Sequence, residues 1–95
     1  MRVRNINGTG EHTCRCGTWL DHWKNFSKQD LPEFCPVTAC VQKPEVGAHV
    51  QRDIFADNHW FIVPLCRKHN AMTGQALVLN DWIRLVSSDT RFTCD

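Results

Sequence analysis

Four residues in two short pairs have the types and spacing to do chemistry: Cys35-x4-Cys40 and Cys66-x2-His69. A tight loop lets the first two thiols reach one point. At the start of a helix, residues three apart lie on one face and can do the same. Together they form a Cys3His set, and zinc accepts sulfur and nitrogen donors of this kind in a tetrahedral shell. The thiols lose their protons on binding, and a structural zinc supplies on the order of 10 kcal/mol of apparent folding free energy. Ordinary domains have only about 5–15 kcal/mol of total stability. An ion at these four residues would therefore dominate the stability of a short chain. Two other readings stay open, buried unliganded cysteines and disulfides.

Three thiols remain, Cys14, Cys16 and Cys94. A Cys-x-Cys turn followed by Gly17 makes a plausible half-site, which Cys94 and one of His12, His22 or His49 could complete. The expectation is thus one zinc ion or two, the second drawing the two ends of the chain onto the body. A disulfide from Cys94 to Cys14 or Cys16, or free thiols, are the alternatives. His22 also reads as a histidine at the edge of the core, and His12 and His59 as surface residues.

The elements that must position these ligands can be read along the chain. Residues 1 to 11, ending near Gly8 and Gly10, read as a flexible lead-in. Residues 18 to 29, TWLDHWKNFSKQ, predict a helix. Thr18 can cap it, Asp21 stands at the capping-box position, and Trp19, Trp23 and Phe26 recur at helical spacing. Prolines flank Phe34-Cys35 and turn residues 31 to 40 into a knuckle loop. EVGAHV (45–50) and the β-branched, aromatic HWFIVPL (59–65) predict two strands of a hairpin, and CRKHNAMTG (66–74) a short helix stopped by Gly74. Farther on, ALVL reads as a strand, and the stretch after Asn80 as either a short helix or another strand.

Bulk composition narrows the function. Ninety-five residues make one domain, 1–95, and 42% hydrophobic with 22% charged residues is a globular balance. A formal net charge of +1, with Lys and Arg scattered singly, is not the basic stripe of a dedicated DNA binder. No apolar run approaches a membrane span, and the N-terminus lacks the apolar core of a signal peptide, so no membrane partner and a cytoplasmic location are expected. Thiols stay reduced there, which favours zinc over disulfides.

A knuckle, a hairpin and a helix that supplies the last two ligands is the treble-clef pattern. With GAHV on the first strand and PLCRKHN at the helix, residues 35 to 70 resemble the zinc-bearing HNH nuclease family, with a core of about 35–74. The whole sequence, with HTCRCGTWLDHW leading and LVSSDTRFTC trailing, is also similar to a group of small Cys/His-rich bacterial and phage proteins. The resemblance implies an α+β fold, a small zinc-stabilised treble-clef or HNH-like ββα domain with an extra N-terminal helix. It implies catalytic roles for His49 as general base, Asn58 in orienting it, and Asn70 in holding a catalytic Mg2+. Cys35, Cys40, Cys66 and His69 would be structural. The pattern departs at Ala48, where the family commonly has a metal-binding Asp, although Asp53 and Asp57 lie close in sequence. A hard divalent ion wants that oxygen.

The leading expectation is therefore a non-catalytic zinc-binding module that binds a protein or a nucleic acid, with Trp60 and Trp82 as candidate anchors. The alternatives are a metal-dependent HNH-type endonuclease and, on size and resemblance, a phage or bacterial inhibitor or adaptor of a host complex.

Overall fold

The computed structural model describes residues 1–6, 17–54 and 58–89. Among these, five strands and two helices run in the order β1 (Arg2–Asn5), α1 (Trp19–Phe26), β2 (Val46–Arg52), β3 (Phe61–Leu65), α2 (Arg67–Asn70), β4 (Ala76–Val78) and β5 (Val86–Ser87). The strands form one antiparallel sheet in the order β4-β1-β2-β3-β5.

The expected hairpin forms: β2 and β3 pair from Val46–Leu65 to Val50–Phe61, and α2 follows directly. The residues that make it are Val50, Ile62, Val63 and Leu65, none of which is exposed. β-Branched side chains suit a pleated, buried surface.

The beginning of the chain differs from expectation. Residues 2–5 of the anticipated lead-in form β1, an interior strand between β2 and β4. Val3 and Asn5 are fully buried while Arg2 and Arg4 face solvent. The alternation in RVRN is a strand pattern, but four residues gain nothing until two partners arrive from distant parts of the chain. The rest of the lead-in, residues 7–11, lies outside the described residues.

The predicted helix forms with its cap. Asp21 N–H donates to the Thr18 hydroxyl, and the Asp21 carboxylate accepts from Thr18 N–H, closing the capping box. It ends at Phe26 rather than near 29, because Lys28 takes a left-handed backbone with φ 58°. Arg84 Nη1 then donates to the carbonyls of Ser27 and Lys28.

Pleat alternation assigns the two faces of the sheet. His49, Ile62 and Val86 are cross-strand partners on one face, against which α1 packs. Gly47 permits the approach: a Cβ there would lie 2.4 Å from the backbone of Trp19 and Leu20. Asn5 and Val50 pair on the other face, the side of α2 and the knuckle.

The stretch after Asn80 makes a turn and then the two-residue strand β5. Its carbonyls are taken by side chains at α1. Trp23 Nε1 donates to Arg84 O at 2.8 Å, Gln29 Nε2 to Trp82 O at 2.8 Å, and His22 Nε2 lies 2.8 Å from Ser87 O. Carbonyls engaged this way are not available for helical bonds.

Candidate metal centre

The knuckle is built by local backbone bonds. Cys35 N–H donates to Gln42 O at 2.7 Å, and Cys40 N–H to Val37 O at 3.0 Å. Ala39, at φ 66°, makes the left-handed step that turns Cys40 back toward Cys35. The loop is tied to the sheet by a Val37–Leu79 bridge and by Thr38 N–H donating to Val78 O at 2.9 Å. Those bonds also cover the outer edge of β4.

The other pair comes from the end of β3. Cys66 keeps an extended backbone and is the N-cap of α2, its Sγ accepting from His69 N–H at 3.5 Å. A thiolate in this place also gains from the positive end of the first helical turn. From the other end Asn5 holds α2: its Nδ2 donates to both His69 O and Asn70 O at 2.9 Å. Asn5 itself is fully buried, and its main-chain carbonyl accepts from Gly74 N–H at 2.7 Å. Gly74 takes φ 80°, the left-handed turn that returns the chain toward β4.

These supports bring Cys35, Cys40, Cys66 and His69 together, one ligand atom from each lying within 4.8 Å of all the others. Cys66 Sγ is 3.2 Å and Cys35 Sγ 3.7 Å from His69 Nδ1, and the Cys40 and Cys66 sulfurs are 4.0 Å apart. A tetrahedral ion with metal–sulfur bonds of about 2.3 Å spaces its sulfurs about 3.8 Å apart. The cluster is therefore of the right size to hold a metal ion. Its three thiols differ in depth: Cys35 and Cys66 are buried, at 1% and 3% exposure, and Cys40 is half-buried.

Burial pushes the Cys35 thiol up to about 12, and the neighbouring Cys66 and Cys40 add to it, against hydrogen bonds from the Val37 and Cys66 backbone that lower it. Without a cation, three thiolates so close together are unfavourable. Burial, with the charge of Lys68, lowers the His69 pKa, which keeps its ring neutral, the form that binds metal. The donor set thus suits a metal ion that displaces the thiol protons.

The residues of the implied nuclease site are not gathered at one point. His49 is 4% exposed, with its ring edge-on to Trp19 at 4.8 Å on the α1 face. Asn70 lies at the end of α2, on the face of Asn5. Asn58 is exposed in the hairpin loop, where its carbonyl accepts from Gln51 Nε2 at 3.3 Å. Ala48 is buried with 1% exposure. Asp53 is four residues from His49 along the chain, about 13 Å at strand rise, and is engaged by Arg2 at 2.7 Å and Arg4 at 3.4 Å. Asp57 lies outside the described residues.

Cys14, Cys16, Cys94 and His12, named for a second zinc, also lie outside the described residues. His22 is fully buried between Trp19 and Phe26, with ring centroids 5.1 Å and 5.2 Å away. Asn5 and Gly47 were missed as positioning residues. The alternation in RVRN was a signal for Asn5, whereas only the close packing of α1 reveals Gly47. Among the described residues no helix is long and apolar enough to cross a membrane. Comparison with protein-family models, curated proteins and solved structures finds no match.

Proposed function

We propose that this chain is a small zinc-stabilised module of treble-clef type whose role is binding rather than catalysis. The observation that carries this reading is the Cys3His cluster, with all four ligand atoms within 4.8 Å of one another. Three soft thiolates and an imidazole select zinc over the hard cations that prefer oxygen. The ion would join the knuckle to α2, a helix of four residues with no buried side chain of its own. So short a helix has little internal stability.

Two features support a binding role. His49 lies beneath Trp19 with 4% exposure, whereas a general base must come within hydrogen-bond reach of the proton it takes. Trp60 and Trp82, the candidate anchors, keep 39% and 54% exposure, while Trp23 keeps none. Exposed tryptophans are favoured as interface anchors.

Metal analysis of protein purified without added zinc tests the reading. One zinc per chain is expected from Cys35, Cys40, Cys66 and His69, and a second would bring in Cys14, Cys16 and Cys94. A chain that carries no metal and melts unchanged after a strong chelator would overturn it. Plasmid nicking with Mg2+ or Mn2+ separates the nuclease alternative: cleavage by the wild type that His49→Ala abolishes would replace the binding role with catalysis.

A further inference from the structure

The cysteines of the metal cluster do not meet solvent equally. Cys35 and Cys66 are 1% and 3% exposed, whereas Cys40 is half-buried. Its neighbour Val41 stands in solvent at 70% exposure. The backbone explains the difference. Cys35 N–H is bonded to Gln42 O where the knuckle closes, and the left-handed step at Ala39 carries Cys40 around its tip. Cys40 lines an open depression of about 300 Å³, with Thr38, Val41, Lys68 and His69 among its other walls. Cys35 is not part of that lining. Cys66 borders a separate depression beside Arg67, but is too deeply set to offer more than its 3% to solvent. A small polar molecule therefore reaches the Cys40 sulfur first.

Cys40 also has a partner for covalent chemistry. All three cysteines are free thiols in this fold, and the Cys40 and Cys66 sulfurs are 4.0 Å apart. A disulfide bond is about 2.05 Å long, so this pair must close by about 2 Å. The nucleophile in thiol oxidation is the thiolate, and coordination keeps cysteine ligands in that form. The bonding that would stabilise the cluster thus leaves its most accessible sulfur able to react.

We infer that Cys40 is an oxidation site, at which a peroxide converts the metal centre into a Cys40–Cys66 disulfide and sets the ion free. The inference rests on the zinc reading above and adds a regulation of that site. In the first step the Cys40 thiolate attacks one oxygen of hydrogen peroxide. An S–O bond forms, the O–O bond breaks, and hydroxide leaves and takes a proton from solvent to become water. Cys40 is then a sulfenic acid. In the second step the Cys66 thiolate attacks the Cys40 sulfur. The S–S bond forms, the S–O bond breaks, and hydroxide again leaves as water. The two sulfurs together lose two electrons, which the peroxide gains, and two protons are consumed. Cys35 and His69 remain, half of a tetrahedral donor set. The new bond keeps the knuckle joined to the start of α2, so reduction can rebuild the site.

The test uses the full, zinc-loaded chain and hydrogen peroxide. Released zinc is read with a chromogenic chelator, sulfenic acid is trapped with dimedone, and disulfides are located by peptide mass spectrometry after free thiols are alkylated. Among the cluster cysteines, dimedone should label Cys40 first. Without dimedone, each Cys40–Cys66 bond should accompany the loss of one zinc, and dithiothreitol with added zinc should restore the loaded chain. Cys40→His keeps a metal donor but no sulfur at this position, and should lose its bound zinc to peroxide more slowly.

Label arriving first at Cys35 or Cys66 overturns the inference. So does a bond from Cys40 to Cys35, loss of all bound zinc while Cys40 and Cys66 stay unbonded, or release from Cys40→His at the wild-type rate. The two readings fail separately. A zinc-loaded chain that keeps its ion and its thiols under peroxide removes only the oxidation site. A chain that forms the Cys40–Cys66 bond but carries no zinc when purified removes the zinc reading and leaves Cys40 as an oxidation site.

Discussion

The two faces of the sheet hold their helices by different means. On one face α1 is secured by packing: Trp23 is fully buried, Gly47 lets the helix backbone touch the strand, and Trp23 and His22 reach the main chain of Arg84 and Ser87. On the other face α2 spans four residues, buries no side chain, and is held by Cys66 and His69 at its start and by Asn5 at its end. Hydrophobic burial is spread over many contacts and fails gradually as atoms are removed. Coordination is concentrated at four atoms and fails at once. On the reading proposed above, an ion would fix a helix that buries no side chain of its own, over a face whose strand residues Val3, Val50, Val63 and Leu65 are fully buried.

The contrast is broken most severely at the metal cluster. Cys35→Ala, or chelation of the wild type, should remove on the order of 10 kcal/mol of apparent stability, seen as loss of the cooperative thermal transition by circular dichroism. Acidity should act on the same side. The Cys35 thiol is raised from 9.0 to about 12 in the metal-free fold, so that fold keeps its full Cys35 contribution below pH 9.0 and loses it as pH rises toward about 12. The loaded form has the opposite sign, since protons compete with the ion. Zinc titrations should therefore show apparent affinity falling from pH 8 to pH 6, with protons released on binding.

On the packed face, Trp23→Ala should cost about 3–5 kcal/mol, measured by urea unfolding of the zinc-loaded chain. If packing and coordination are independent supports, the folded variant should retain its zinc. Asn5→Ala should cost about 1–3 kcal/mol, because it removes the buried side-chain amide that donates to His69 O and Asn70 O. It should raise the rate of zinc loss to a chelator more than Trp23→Ala does, since Asn5 holds the helix that carries two ligands. Equal rates in the two variants would show that the faces are not separable. Thr18→Ala removes the α1 cap and should cost about 1 kcal/mol, with no change in the rate of zinc release.

Features set by neighbours in sequence were legible without coordinates. The Thr18–Asp21 capping box, the proline-flanked knuckle at Cys35, the β-branched run before Cys66 and the spacing of the four ligands are all local patterns, and each formed. The end of α1 was overestimated because Ser27–Lys28 is helix-compatible until Arg84, 56 residues later, claims Lys28 O. β1 was misread because a four-residue strand draws its stability from its partners, and both are remote: Val3 faces Arg52 on one side and Leu77 on the other. The position of His49 was also beyond local reading, since one step of register moves a side chain to the opposite face.

By itself, then, the sequence determined the ligand set and the short-range devices that present it. Cysteine and histidine pairs a few residues apart can reach a common point whatever the remainder of the chain does, and caps and turns are satisfied by their immediate neighbours. Only the tertiary structure decided that the two pairs meet, that His49 is buried under Trp19 while Asn70 lies across the sheet, and that Cys40 is half-buried where Cys35 and Cys66 are buried. Those outcomes depend on strand order and pleat, which are fixed by long-range burial and hydrogen bonding, and no short window of sequence carries that information.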